Sequence, residues 1–487
     1  THQLKKIDTD TIKEMRDQFA IPIPDEKLDE LPFYIPPKDA PEMKYLHERR
    51  KALGGYLPQR RQKADKVPAV PPLSAFDQLL KGSGEGREIS TTMAFVRTLT
   101  AVIRDKEIGK RIVPIVPDEA RTFGMEGMFR QLGIFASEGQ KYEPVDKDQV
   151  MFYREDKQGQ ILEEGINEAG AFSSWIAAAT SYSHSNEVTV PFYIFYSMFG
   201  LQRIGDLAWA AADQRARGFL LGATAGRTTL NGEGLQHEDG HSHVMSSVIP
   251  NCVSYDPTYG YEVAVIIQDG LRRMVTNQED VYYYITLMNE NYVHPAMPSG
   301  VEAGILKGAY LLRESKAKHK ARVQLMGSGT ILREVEAAAE LLEKDWGVAA
   351  DVWSATSFTE LRRNGMAADR WNMLHPESKP RAPYITECLE KRPAGPVVAA
   401  SDYIKTFADQ IRPFIPKDRV YRVLGTDGFG RSDSRAKLRH FFEVNRYFVA
   451  IAALKALADQ GEGKTKAVAD AIRKYGIDPD KADPVTV

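Results

Sequence analysis

The sequence has little cysteine, no long apolar run and almost no net charge. Only Cys252 and Cys388 occur among its 487 residues, so a disulfide framework and a thiolate metal site are excluded, and a reducing, cytoplasmic compartment is expected. No apolar stretch approaches the roughly 20 residues of a membrane helix, so no membrane partner is expected. The 64 lysines and arginines nearly balance the 66 aspartates and glutamates, and no nucleic-acid partner is expected either.

The composition that remains is that of an ordinary globular protein, with 43% hydrophobic and 27% charged residues. The length predicts roughly three domains of about 150 residues each. Residues 1–67 are rich in proline and charge and lack a long amphipathic period, which indicates an extended linker without a core of its own. The first globular domain is therefore expected at residues 68–305 and the second at residues 306–487.

Apolar strand candidates alternate with helical stretches through both of these ranges. The strand candidates are residues 111–117, 188–195, 218–224 and 280–288 in the first range, and residues 322–329, 348–355, 396–403 and 419–428 in the second. Continuous apolar strands separated by helices are typical of a mostly parallel sheet that helices cover on both faces. The predicted fold class is α/β, with two successive mostly parallel-sheet domains.

The segment "GRTTLNGEGLQHEDGHSH", residues 226–243, contains three of the ten histidines. One interpretation is a metal site formed by its histidines and carboxylates, although their spacing matches no regular ligand pattern. A second interpretation is a polar surface loop. The third is a loop that faces a substrate, because glycine allows close backbone approach and histidine transfers protons near pH 7. The spacing leaves all three open.

Two further segments could carry a site. Glu168 precedes the small and apolar run "AGAFSSWIAAA", so it is expected at the start of a buried helix, where a carboxylate needs a partner. The segment "PFYIFYSMFGLQRIGD" is rich in aromatic residues. Such a stripe most often forms core, but Tyr196 and Phe199 lie where the strand pattern gives way to a helix and could line the edge of an active site.

Taken in order, these words resemble one family. "GQILEEGINEAG", "PFYIFYSMFGLQRIGDL", "GLQHEDGHSH", "YYYITLMNENY" and "YRVLGTDGFGRSDSRAKLRHFFEV" look like the homodimeric bacterial pyruvate dehydrogenases, the thiamine-dependent, acetyl-transferring first component of the pyruvate dehydrogenase complex. The likeness runs along the whole chain. More distantly, the two domains resemble the pyrimidine-binding and C-terminal domains of transketolase.

The resemblance implies a role for six residues. Glu168 would hydrogen-bond the aminopyrimidine ring of thiamine diphosphate, Phe199 would stack on that ring, and Tyr196 would lie nearby. Glu119 is similar to an acidic residue of the family behind the site and near the dimer interface. His237 is similar to the histidine that faces the cofactor-bound intermediate, and His2 to a mobile-loop histidine implicated in acetyl transfer.

The implied reaction is the oxidative decarboxylation of pyruvate with reductive acetylation of a lipoyl group. The implied partners are pyruvate, the lipoyl domain of dihydrolipoamide acetyltransferase, and a second copy of the chain in a homodimer. The implied cofactors are thiamine diphosphate and Mg²⁺. No metal ligand is assigned within this sequence.

One departure from the family pattern is large. Thiamine enzymes hold Mg²⁺ and the diphosphate with a Gly-Asp-Gly word, and that word is missing from all 487 residues. The expectation is that residues 1–67 connect to an N-terminal diphosphate-binding domain that is missing from this chain, which is then a fragment or half of a split enzyme. Low activity of the isolated chain is expected. The alternative is a catalytically inert dimerisation or scaffold fragment of the same fold.

Overall fold

A computed structural model describes residues 7–53, 55–56, 60–117, 120–145 and 153–487 of the chain. The chain divides into two compact units, Thr1–Arg60 and Arg61–Val487. Among the helices described, none is both long enough and apolar enough to cross a membrane.

The first unit consists of short helices that bury almost nothing. They are α1 (Thr9–Gln18), a 3-10 helix (Asp25–Glu30) and α2 (Pro41–Ala52). Asp8 caps α1, because its Oδ1 accepts a hydrogen bond from the Thr11 amide at 2.7 Å. Leu28 is the single buried residue among the described residues of this unit. The expected connector therefore contains short helices, one of them capped by a side chain, and its role as a linker remains a prediction.

A six-stranded sheet organises the N-terminal part of the second unit. The strands of this part are β1 (Glu88–Ile89), β2 (Ile112–Val116), β3 (Ile134–Phe135), β4 (Glu155–Asp156), β5 (Leu162–Glu163), β6 (Val190–Phe195), β7 (Phe219–Gly222), β8 (Cys252–Tyr255), β9 (Tyr282–Thr286) and β10 (Tyr292–Val293). The large sheet has the order β5-β2-β6-β7-β9-β8, and its neighbouring strands pair in parallel.

The four strands predicted for this range, β2, β6, β7 and β9, form the middle of that sheet. The edge strands β5 and β8 were not predicted: β5 has only two residues, and in β8, "CVSY", a serine interrupts a short apolar stretch. Buried on both faces, a central parallel strand needs continuous apolar residues, whereas an edge strand does not.

Helices cover both faces of this sheet. They are α3 (Asp77–Leu80), α4 (Thr91–Ile103), α5 (Phe129–Leu132), α6 (Glu168–Ala179), α7 (Ser181–Ser185), α8 (Gly200–Asp213), α9 (Ser242–Ser247) and α10 (Gly260–Leu271). Trp175 fastens α6 to the sheet, because its Nε1 donates a hydrogen bond to the Phe219 carbonyl of β7 at 3.0 Å; within α6 its ring stacks on Phe172 at 5.0 Å. Full burial of this indole makes it one of the largest contributors to the core.

A second sheet follows in the chain. Its strands are β11 (Tyr310–Arg313), β12 (Arg322–Gly327), β13 (Ala349–Ser354), β14 (Val397–Ala400) and β15 (Tyr421–Leu424). The spatial order is β11-β13-β12-β14-β15, with β11 antiparallel at one edge and the other pairs parallel. The sequence predicted the four parallel strands and missed β11 at the edge, where Tyr310 is buried and the other three residues of "YLLR" are only partly buried.

The helices of this part are α11 (Glu302–Lys307), α12 (Ile331–Trp346), α13 (Phe358–Leu374), α14 (Tyr384–Glu390), α15 (Lys405–Asp409), α16 (Arg435–Phe441), α17 (Arg446–Asp459) and α18 (Thr465–Lys474). The predicted α/β class with two mostly parallel sheets is confirmed. The exact limits of the domains, 68–305 and 306–487, remain predictions.

The carboxyl ends of the two sheets face each other. The loop that follows β7 contacts the loop that follows β14, where the Arg227 amide donates to the Asp402 carbonyl at 3.3 Å. The loop after β15 also reaches the β7 loop, since Arg227 Nη1 donates to the Thr426 carbonyl at 2.6 Å. Ligands of open parallel sheets bind beyond the carboxyl ends of the strands, so this junction is where a site is expected.

Candidate functional site

A pocket of about 400 Å³ opens at the carboxyl end of the first sheet. Four of the predicted site residues line it: Glu168, Tyr196, Phe199 and His237. Glu233 and Asn289 also line the pocket and were not predicted. The structure thus gathers side chains from a helix start and from the loops that follow three strands.

Glu168 is the first residue of α6, which Asn167 caps by accepting a hydrogen bond from the Gly170 amide at 3.0 Å. Its residue surface is 8% exposed, so the carboxylate is nearly dry. Arg203 Nη1 donates to Glu168 Oε1 at 2.7 Å. The charge partner that a buried carboxylate requires is therefore Arg203.

Sequence reasoning missed Arg203, although a signal existed. Phe199 and Arg203 are four residues apart, one at the start of α8 and one in its first turns, so their side chains meet on one helix face. The guanidinium carbon of Arg203 lies 4.3 Å from the centre of the Phe199 ring. One arginine therefore pairs with the carboxylate and packs on an aromatic wall of the pocket.

Two aromatic rings and an imidazole contact one another along the pocket. The ring centres of Tyr196 and Phe199 are each within 5.3 Å of the His237 ring centre, in edge-to-face contact. Tyr196 Oη donates to Thr122 Oγ1 at 3.4 Å. The aromatic segment therefore contributes to two places: Phe192 and Phe195 lie in the core, whereas Tyr196 and Phe199, which follow β6, line the pocket.

The three histidines of the 226–243 segment point to three different places. His237 ends a 3-10 turn, Leu235–His237, and lines the pocket. Nε2 of His241 lies 2.7 Å from Nε2 of Gln202 on α8. His243 is fully buried and hydrogen-bonded to Thr286 Oγ1 at 2.8 Å, and burial holds its pKa well below the ordinary value.

This dispersal argues against the metal interpretation of the loop. Within the parts of the chain that the structure describes, no three histidine, cysteine, aspartate or glutamate side chains converge as metal ligands. The geometry favours the interpretation in which the loop faces a ligand, because only His237 of the three histidines reaches the pocket.

Asp239 joins the histidine loop to the aromatic loop. Its carboxylate is fully buried and accepts hydrogen bonds from Ser197 Oγ at 2.7 Å and from the amides of His241 and Ser242, each at 3.0 Å. Ser197 follows Tyr196 directly. The carboxylate that could have been a metal ligand is instead a structural acceptor that ties the two pocket loops together.

Glu238 has a different environment from its neighbours. Its carboxyl group is fully buried and, among the described residues, neither oxygen has a hydrogen-bond partner. Burial raises the pKa of Glu238 to about 9, so the group is neutral at pH 7. It packs against Gly430, where an added Cβ would lie 2.4 Å from the Glu238 Cβ. The loop after β15 is therefore in direct contact with the residue that follows His237.

The predicted residues Glu119 and His2 lie outside the described residues. Their roles remain predictions, as do the roles assigned to the residues that line the pocket.

Comparison with known proteins first defines the class. Residues 308–445 match the family described as "Transketolase-like TK C-terminal domain". The transketolase of Campylobacter jejuni superposes with a TM-score of 0.59 at 17% identity, over 92% of this chain and 59% of that chain. The transketolase of Pichia stipitis solved with a sugar phosphate superposes with a TM-score of 0.60 at 15% identity, over 94% of this chain and 60% of that chain. The chain therefore has a transketolase-like fold.

The closer relationships define the family. Residues 74–295 match the family described as "Pyruvate dehydrogenase E1 component middle domain". Over 99% of its length the chain is 66% identical to the pyruvate dehydrogenase E1 component of Pseudomonas aeruginosa and 57% identical to that of Escherichia coli. The chain belongs to the family of pyruvate dehydrogenase E1 components, as the sequence words indicated. It spans about half the length of these relatives, 54% in each case.

Proposed function

We propose that this chain supplies the pyrimidine-binding part and the C-terminal domain of a thiamine diphosphate-dependent pyruvate dehydrogenase. The reaction is the oxidative decarboxylation of pyruvate with reductive acetylation of the lipoyl group of dihydrolipoamide acetyltransferase. The observation that carries the proposal is the nearly dry Glu168 carboxylate in a pocket walled by Tyr196, Phe199 and His237. Family membership supports the same reaction.

The chemistry of the pocket fits a flat nitrogen heterocycle. Glu168 has a second carboxylate oxygen beyond the one that accepts from Arg203, and this oxygen is the acceptor we assign to the aminopyrimidine of the cofactor. Phe199 offers the ring to stack against it, and Tyr196 the adjacent edge. When bound, thiamine diphosphate supplies a carbanion and an electron sink.

The remaining residues of the pocket act on protons and on substrate. His237 lines the same pocket as Glu168, and a positioned imidazole contributes a factor of about 10² to 10⁴ to a proton-transfer step. We assign it the substrate-facing role. Tyr196 and Phe199 keep this imidazole in place through their ring edges.

The diphosphate end of the cofactor is assigned elsewhere. Neither a Gly-Asp-Gly word in the sequence nor a cluster of metal-type ligands among the described residues offers a Mg²⁺ site. We propose that the Mg²⁺ ligands come from a polypeptide segment other than these 487 residues. The proposal further includes a homodimer in the cytoplasm, Glu119 near the dimer interface and His2 in transfer to the lipoyl domain.

Calorimetric titration of this chain with thiamine diphosphate and Mg²⁺ tests the proposal. We expect weak binding and little turnover by the chain alone, because the strongest charge contacts are supplied by the other segment. Addition of the N-terminal half of a relative should restore pyruvate decarboxylation, and Glu168→Ala should abolish the restored activity. Tight binding and full turnover by the chain alone would contradict the division of the site.

The same reconstitution distinguishes the enzyme from an inert scaffold. A scaffold would associate with the added half and still show no decarboxylation with any combination of cofactor and metal. Size-exclusion chromatography of the mixture separates this outcome from a simple failure of the two halves to associate.

A further inference from the structure

The loop that carries His237 is held at its beginning by a carboxylate of the other sheet. Asp402 follows β14 and is fully buried. Its Oδ1 accepts hydrogen bonds from the Thr228 amide at 2.9 Å and from Thr228 Oγ1 at 2.6 Å. Its Oδ2 accepts from the Thr229 amide at 3.0 Å and from Thr229 Oγ1 at 2.5 Å. Four donors of two adjacent residues thus converge on one side chain.

Gly226 makes this close approach possible. Its φ is +89°, in the left-handed region, and an added Cβ would lie 2.4 Å from Asp402 Oδ2. A residue with a side chain at this position would therefore strain the backbone and displace the carboxylate. The segment "GRTT" therefore suits contact with the Asp402 carboxylate: its glycine leaves space for the carboxylate, and its two threonines donate hydrogen bonds to it.

Two arginines extend the same connection. Arg227 Nη1 donates to the carbonyls of Thr426 and Gly428 at 2.6 Å each, while its Nε donates to the Glu238 carbonyl at 3.3 Å. The guanidinium therefore links the loop after β15 to the residue that follows His237. Arg435 Nε donates to the carbonyl of Thr229, one of the two residues that Asp402 holds, at 2.6 Å.

The part of the loop between these anchors has few contacts of its own. Residues 231–236 are exposed, and Gly232 donates one backbone hydrogen bond to the Asp433 carbonyl at 3.1 Å. Asp239 fixes the far end from within the first sheet's own loops. The place of His237 in the pocket therefore depends on where the two ends of the loop are held.

We propose that Asp402 is a positioning residue for His237, so that the C-terminal domain sets the geometry of a pocket that it does not line. A misplacement of about 1 Å can cost about 10²-fold in rate. Because the two oxygens of Asp402 fix Thr228 and Thr229, loss of these hydrogen bonds should lower turnover strongly. The effect on turnover depends on the proposed function, whereas the effect on the loop does not.

Asp402→Asn is the variant that tests this. Asparagine keeps the shape of the side chain but replaces one acceptor oxygen with an NH₂ group, which is a donor. The threonine that faces this NH₂ group loses its acceptor, so one of the two anchor residues is released. Asp351→Asn is the control: Asp351 is also buried, lies on β13 of the second sheet, and accepts from the Ser315 amide at 2.9 Å, from Gln324 Nε2 at 3.0 Å and from Arg392 Nε at 3.0 Å.

Hydrogen exchange and imidazole NMR of the full chain give the first result. In Asp402→Asn, we expect the amides of residues 226–243 to exchange at least about tenfold faster, the change that follows from losing a charged hydrogen bond. The His237 imidazole resonance, assigned with His237→Gln, should shift. In Asp351→Asn neither change should occur. Equal exchange in the two variants, or an unmoved His237 signal, overturns the proposal.

Turnover gives the second result, in the enzyme reconstituted with its other half. We expect Asp402→Asn to lower kcat by about tenfold or more with KM unchanged, because positioning acts on the reacting geometry. If Asp402→Asn does not fold, Thr228→Val and Thr229→Val together remove the two hydroxyl donors and leave the carboxylate, and the same exchange criterion applies. An inactive wild-type enzyme would refute the proposed function alone, since exchange and NMR judge Asp402 without it.

Discussion

The two sheets of the second unit contribute differently to one site. The described residues that line the pocket of about 400 Å³ lie between Pro117 and Asn289, in the part of the chain that forms the first sheet. The second sheet contributes Asp402 and Arg435, which hold the histidine loop without lining the pocket. Side chains that meet a ligand and groups that hold those side chains thus come from different sheets.

This difference has a physical reason. A parallel sheet presents loops at its carboxyl end, and loops are mobile unless something outside them supplies hydrogen-bond partners. The carboxyl ends of the two sheets face each other, so loops of the second sheet supply hydrogen-bond partners to polar groups of the 226–243 segment. A substitution in the loops of the first sheet should remove a side chain that acts on the ligand. A substitution at the junction of the two sheets should instead shift the position of such a side chain.

The largest effect is expected for Glu168→Gln. The glutamine keeps the shape of the side chain but cannot share a proton with a heterocycle, so kcat of the reconstituted enzyme should fall by at least about 10³-fold. Glu164→Gln is the control, since Glu164 accepts from Ser174 Oγ at 2.6 Å just outside the pocket. Steady-state decarboxylation assays measure both. A similar kcat for the two variants would mean that the first sheet does not carry the chemistry.

An intermediate effect is expected for Gly226→Ala at the junction. The left-handed backbone and the contact of the new Cβ with Asp402 should together lower the free energy of unfolding by at least about 2 kcal/mol. Gly232→Ala is matched to it, because Gly232 also has a positive φ, +73°, but an added Cβ there meets nothing within 4 Å. It should cost about 1 kcal/mol from backbone strain alone.

Urea unfolding of these two glycine variants measures the difference between them. That difference isolates the contact with Asp402 from the backbone strain that both variants share. Equal losses of stability would remove the steric argument for the junction.

The smallest effect is expected in the pH dependence of stability, through Glu238. Because the folded-state pKa of about 9 lies above the ordinary value of 4.5, the contribution of this group to stability is fully present below pH 4.5 and is lost as the pH rises towards 9. In Glu238→Gln the loss should disappear, so the curve of unfolding free energy against pH should be flatter over this window.

Urea unfolding of the wild type and of Glu238→Gln across this pH range measures the slope. Glu233→Gln, at an exposed position of the same loop, should keep the wild-type slope. Parallel curves for wild type and Glu238→Gln would show that the buried carboxyl group has access to water or to a partner.

Structural features that depend only on residues close together in the sequence were predictable. Helix α12, Ile331–Trp346, is marked by its own residues, because an amphipathic period runs through it and a glycine follows it. Glu168 stood out as a carboxylate before a small-residue helix. Its role, like those of Tyr196, Phe199 and His237, came from the likeness of long sequence words to one family.

Features that depend on distant residues were not predictable. Arg203 pairs with Glu168 across 35 positions, and Asp402 reaches Thr228 across 174. The directions of the side chains in the histidine loop were unpredictable for the same reason: His241, His243 and Asp239 are close to His237 in sequence, whereas the fold turns each towards a different partner. A short polar loop has no periodicity from which the direction of its side chains could be inferred.

The amino-acid sequence by itself determined the two mostly parallel sheets, because burial on both faces demands continuous apolar strands, and it determined the family through its long specific words. Only the tertiary structure decided which polar groups meet. Carboxylates such as Glu168, Asp239 and Asp402 lose their water on folding, and the donors that replace that water come from whichever loops the packed sheets bring to the same place.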